Sequence, residues 1–234
     1  MPQGPLGEKG SPPRSDEGLD PTLKQNIDPS ELSAIMSEYC DLMTEIKIRN
    51  DAISATLRSQ SPDRPPAQIV YENCHLQFRM ICELIALGCL VVHRDINMGI
   101  TNQMQAIWNA DKIIKRLSRV NPHFYPQPVI LHNNTGELRY EFIQSDYLTK
   151  QELRNLYNIV CGTTLHRGTI ADMRRRFDPT NVRFDEVERW RRKIVRLLGY
   201  HWISVHGSPD QIAVSMNDAG SLPTWTYFKA VRRV

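Results

Sequence analysis

The sequence predicts an α+β fold: a predominantly helical bundle with an inserted β-hairpin and a small C-terminal antiparallel sheet. Three observations point there. Apolar residues recur at helical spacing through the first half of the chain, the period changes around a turn signal near residue 135, and from residue 201 onward short alternating segments are separated by turn residues.

The first 27 residues, rich in Pro, Gly, Ser and charge, have little to bury, and the composition predicts a disordered tail before a single α+β domain over 28–234. The domain opens at Asp28-Pro29-Ser30-Glu31, where Asp28 can cap, Pro29 fits the first helical position and Glu31 can reach back. Leu32, Ile35, Met36, Tyr39, Leu42, Met43 and Ile46 then predict an amphipathic helix over about 29–57. SQSPDRPP breaks it. The next helix, about 67–94, is apolar on nearly every side in its later half, as expected of the central helix of a bundle. Its run MICELIALGCLVV contains Glu83 and is shorter than the roughly 20 residues of a bilayer span. A third helix, about 98–119, stops at the prolines of NPHFYPQP.

Asn134-Thr135-Gly136 between segments rich in β-branched and aromatic residues predicts a hairpin over about 129–143. Thr149 and Glu152 form a capping box, and Leu148 and Leu153 a hydrophobic staple, for a helix over 150–160 that ends at Cys161-Gly162. Helices over about 170–177 and 183–198 follow, the second closed by Gly199. Strands are expected over about 201–206, 211–216 and 224–230.

The formal charge of +3 conceals an asymmetry. Residues 1–66 carry 7 Lys/Arg against 11 Asp/Glu, a balance of −4, while 67–234 carry 22 against 15, a balance of +7. Ten of the later cations, nine of them arginine, lie between Arg167 and Arg196 against five acids. Arginine offers a planar fork suited to phosphate, so Arg167, Arg174, Arg175, Arg176, Arg191, Arg192 and Arg196 are the candidate residues for binding an anion or nucleic acid. The competing expectation is a solvated helix face whose arginines pair with Asp185, Glu186 and Glu188.

Other chemistries have weaker support. The five cysteines form no CxxC pair, and Cys74, Cys82 and Cys89 fall within about 80° on one helix, a core stripe. No pair of the seven histidines has His-x3-His spacing, there is no HExxH, and neither a metal nor a cofactor is expected. The segment CGTTLHRGT lacks the lysine of a nucleotide-binding loop, which leaves His166 and Arg167 as its unexplained side chains. Glu83 inside an apolar helix calls for a partner, and Arg79 lies four residues earlier on the same face.

The spacing Arg196-Leu-Leu-Gly-Tyr-His201 resembles the arginine-histidine motif of helical HEPN-type ribonucleases, which cleave RNA without metal. Leu197 stands where those motifs usually carry a polar residue, and the similarity covers only these few positions. By that analogy His201, or His166 beside Arg167, would act as acid or base while an arginine holds phosphate.

These features predict a binding or regulatory module with an arginine-rich face that contacts nucleic acid or another polyanion, without a membrane and at a cytoplasmic address. A metal-independent ribonuclease using His166 or His201 is the enzymatic alternative. A structural protein that forms homo-oligomers through its long N-terminal helix is the third.

Overall fold

The computed structural model describes residues 28–93, 107, 109–134, 137–166, 168–170, 182–204, 210–217 and 220–229. The tail predicted over 1–27, the first part of the helix predicted from 98 and nearly all of that predicted over 170–177 lie outside them.

Helix α1 (Pro29–Arg58) begins as the sequence predicts: the Asp28 carboxylate accepts from the Ser30 amide at 2.8 Å, and Pro29 occupies the first turn. Helix α2 (Ala67–His93) is the central element, packed against α1, α3 (Ala110–Val120), and the later helices. By length and composition alone α2 is apolar enough to cross a membrane, yet 56% of its most apolar window is buried against the rest of the chain. The apolar stripe of α1, including Met36, Tyr39, Met43 and Ile46, is likewise buried within the chain.

Strands β1 (Gln127–Asn134) and β2 (Glu137–Phe142) form the predicted hairpin, with Leu131 opposite Tyr140. It is not a separate insertion. Gln127 and Pro128 of β1 pair with Trp202 and His201 of β3 (Tyr200–Ser204), which continues through β4 (Gln211–Ser215) to β5 (Thr224–Phe228). One five-stranded antiparallel sheet results, in the order β2-β1-β3-β4-β5. Ile203, Ile212 and Val214 join the helical core, while Trp202 belongs to a second cluster with Val129 and Ala213, flanked by Tyr140 and Phe228. Alternation of side chains across a strand accounts for the division.

Between hairpin and sheet the helices differ from the expected boundaries. The capping box at Thr149 and Glu152 is present, but α4 (Lys150–Asn155) does not stop at residue 160. It passes through a π-helical turn (Leu156–Val160) into α5 (Cys161–Leu165), so Cys161-Gly162 is helix interior and not a terminus. Helix α6 (Phe184–Leu198) ends at Gly199 as predicted. Gly199 has φ −49°, so the terminator is not a left-handed cap. Its lack of a side chain matters instead because a Cβ there would stand 3.0 Å from the Val195 carbonyl oxygen.

Candidate functional site: a cationic cleft between two helices

Arg167, Arg174, Arg175 and Arg176 lie outside the described residues. The remaining candidate arginines sit on or beside α6 and are largely matched by carboxylates. Arg191 donates twice to Glu188 at 2.7 Å, Arg189 reaches Glu186 at 3.1 Å, Arg183 reaches Asp185 at 3.3 Å, and Arg196 lies 3.7 Å from Asp146. Lys193 is held at 2.9 Å by Glu152 of the capping box. Arg192 is exposed and has no ion pair among the described residues. The α6 face is therefore mainly a lattice of local pairs, the alternative expected from Asp185, Glu186 and Glu188.

The histidine candidates do not share a pocket-like setting. His166 is exposed and caps the end of α5, its amide donating to the Gly162 carbonyl at 3.0 Å. His201 has no exposed surface. Its Nδ1 lies 2.8 Å from the Leu198 carbonyl, which can only accept, so Nδ1 carries the proton and Nε2 accepts from the Tyr39 hydroxyl at 2.8 Å. Burial pushes the imidazole down to about 4, leaving a neutral core residue that a phosphodiester could reach only by opening the bundle. Cys161 is also fully buried, and desolvation raises its thiol to about 12, so it is not an activated nucleophile.

Glu83 has the partner that its position demanded, and a second one. Arg79 Nε lies 3.8 Å from its carboxylate, while the Tyr157 hydroxyl donates to Glu83 at 3.0 Å and accepts from Arg79 at 3.1 Å. The Arg79 guanidinium stands 4.3 Å from the Tyr157 ring centroid. Burial, followed by the Glu83 hydrogen bond, raises the Tyr157 phenol to about 12. This knot joins α2 to the π-helical turn. Among the described residues no group of three or more His, Cys, Asp or Glu could hold a metal ion.

Among the described residues, a gathering of cations with one carboxylate for four of them lies elsewhere. A cleft of about 590 Å³ between α3 and the start of α4 is lined by Ile114, Lys115, Ser118, Arg119, Thr149, Lys150, Gln151 and Arg154. Four of these eight are cations and none is acidic. Asp111, beside the cleft, binds two of them: Lys115 Nζ at 2.6 Å and Arg154 Nε at 2.5 Å. Burial opposes ionisation of Asp111, but the hydrogen bonds from Lys115 and Arg154 outweigh it and hold the carboxyl below its ordinary value. Lys150 donates to the Pro122 carbonyl at 3.0 Å and stands 5.4 Å from the Phe124 ring centroid. Neither Lys150 nor the exposed Arg119 has a carboxylate partner among the described residues.

The local sequence explains this placement. In α3, Ala110, Ile113, Ile114 and Leu117 are buried, so the turns between them send Lys112, Lys115, Arg116 and Arg119 outward at the same i, i+3, i+4, i+7 spacing. The capping box then fixes where Lys150 and Arg154 start on the facing helix. In the sequence these positions are outnumbered by the longer arginine run beyond residue 167. The signal that marks them is a pair of i, i+4 cations on each of two helices, with few acids between.

Compared with known protein families, curated proteins and solved structures, the chain matches none.

Proposed function

We propose that this protein is a binding module for polyanions and that the α3/α4 cleft contacts the phosphate backbone of nucleic acid. One observation carries the reading: Lys115, Arg119, Lys150 and Arg154 converge on a single cleft whose lining has no acid. Cations closer together than the Debye length of about 8–10 Å reinforce one another in ordinary salt, and here Lys115 and Arg154 share the single carboxylate of Asp111 while Arg119 and Lys150 have none among the described residues, whereas Arg183, Arg189 and Arg191 each have a carboxylate of their own. Hydroxyl and amide groups of Ser118, Thr149 and Gln151 at the same cleft suit phosphate oxygens. The contacts are to backbone and not to base edges, so binding is expected to depend weakly on sequence and strongly on salt.

The test is a titration of a fluorescent RNA oligonucleotide across a salt series. Parent protein should lose affinity steeply as salt rises. Replacing Lys115 and Arg119 together by glutamine should lower affinity by about tenfold or more and reduce the magnitude of the slope of log K against log salt by roughly 1 to 2. Replacing Arg189 and Arg192 should change both far less. Binding that ignores salt, or that responds to the α6 pair and not to the α3 pair, overturns the proposal.

A further inference from the structure

We infer that the outer edge of β2 is an interface with a second copy of this chain, a proposal independent of the polyanion surface. The interface is not the apolar stripe of α1, which the chain itself covers. β2 is an end strand of the sheet, and the ladder shows which of its backbone groups face outward. The Ile143 amide donates to the Pro128 carbonyl at 2.9 Å, which makes residues 143 and 128 a hydrogen-bonded pair that extends the β1–β2 register. Antiparallel pairs alternate in kind. Phe142 opposite Val129 and Tyr140 opposite Leu131 are therefore pairs of the other kind, with amides and carbonyls aimed away from β1. Among the described residues no strand lies beyond them to receive those groups.

Natural proteins usually shield such an edge with proline, lysine, a bulge or a covering element. β2 has neither proline nor lysine, and its pairing with β1 is unbroken from Val129–Phe142 to Asn134–Glu137. Around the outward groups the hairpin shows apolar surface: Tyr140 is 47% exposed, Phe142 42%, and Ile130 and Leu131 43% each. A strand added here would cover it.

The charges on β2 select the occupant. A second copy placed antiparallel about a two-fold axis at Tyr140 sets Arg139 opposite Glu141 of the second copy, and Glu141 opposite its Arg139. Moving the axis to residue 139 would oppose two arginines, and moving it to residue 141 would oppose two glutamates. Only the central register satisfies both signs, so the edge is its own complement. The same axis keeps each face of the sheet continuous. Tyr140 meets Tyr140 of the second copy, with Phe142 on the diagonal, and the aromatic face begun by Trp202 and Tyr140 extends across the join.

Sedimentation velocity of the full chain over a concentration series tests this. A monomer–dimer equilibrium is expected, with a dissociation constant on the order of 10 µM for so small an interface. Glu141→Arg and Arg139→Glu, each at an exposed position, set like charges opposite one another and should each weaken self-association by at least about tenfold. Mixed in equal amounts, the two variants restore both opposite pairs, and the mixture should dimerise about as tightly as the parent. Amide exchange of the parent gives a second readout, because the Tyr140 and Phe142 amides should exchange more slowly as concentration rises. A parent that stays monomeric at about 0.5 mM overturns the proposal. So does undiminished self-association of either single variant, a mixture no tighter than its components, or exchange at Tyr140 and Phe142 that ignores concentration.

Discussion

At the scale of the residue, His201 shows how burial decides between two roles open to the same side chain. The Arg196 to His201 spacing made it a candidate acid or base, yet both ring nitrogens are committed inside the core, to Leu198 and Tyr39. Its folded-state value of about 4 lies below the ordinary 6.5, so between these limits the unfolded chain binds the proton more strongly. Stability from this group is complete above about pH 6.5 and declines as the pH falls toward 4, by on the order of 3 kcal/mol. Burial lowers His75 as well, with the same sign. Urea denaturation at pH 7 and pH 4.5 should show this loss, and His201→Gln should remove much of the difference while being less stable at pH 7. A parent protein equally stable at both pH values would contradict the assignment. Tyr39→Phe should cost about 1–3 kcal/mol, because it leaves Nε2 buried without a donor.

Secondary-structure elements meet through contacts that single side chains control, and Gly88 is the clearest case. Alanine is the better helix former by about 1 kcal/mol, yet a Cβ on Gly88 would stand 3.0 Å from Tyr39 Cε2 and 3.3 Å from Met43 Cε. Overpacking a core typically costs about 1–3 kcal/mol, and here it presses on the ring whose hydroxyl holds His201. Gly88→Ala should therefore be destabilising despite its propensity, and thermal melts of the variant and its parent decide it. Most of the element boundaries were legible because their signals are local: Asp28 and Pro29 for α1, the Thr149-Glu152 box for α4, and hydrophobic spacing for α2. What was not legible depends on partners distant in sequence. The β1–β3 pairing rests on two residue pairs, Gln127 with Trp202 and Pro128 with His201, and no local pattern announces it. The same holds for charge. Arg196 and Lys193 looked available as a run, but their partners Asp146 and Glu152 come from before α6, whereas Lys115 and Lys150 meet in one cleft from different helices.

Across the whole molecule, one apolar cluster links α1, α2, α3, the π-helical turn, α6 and the inner face of the sheet, from Leu32 to Val214. The smaller cluster around Trp202 lies on the other side of the same strands. Because β3 contributes His201 and Ile203 to one face and Trp202 to the other, the aromatic cluster cannot lose its support while the helical core stays intact. Trp190 in α6, within the helical core, and Trp202 in β3, on the other side of the sheet, should thus report the same transition. Helical circular dichroism and tryptophan fluorescence, measured on single-tryptophan variants that retain one of these two, should give coincident urea midpoints. Separated midpoints would mean that the sheet unfolds independently of the bundle. That result would contradict the shared core, because Ile203, Ile212 and Val214 pack in the same cluster as the helices and a core held in common makes their unfolding one event.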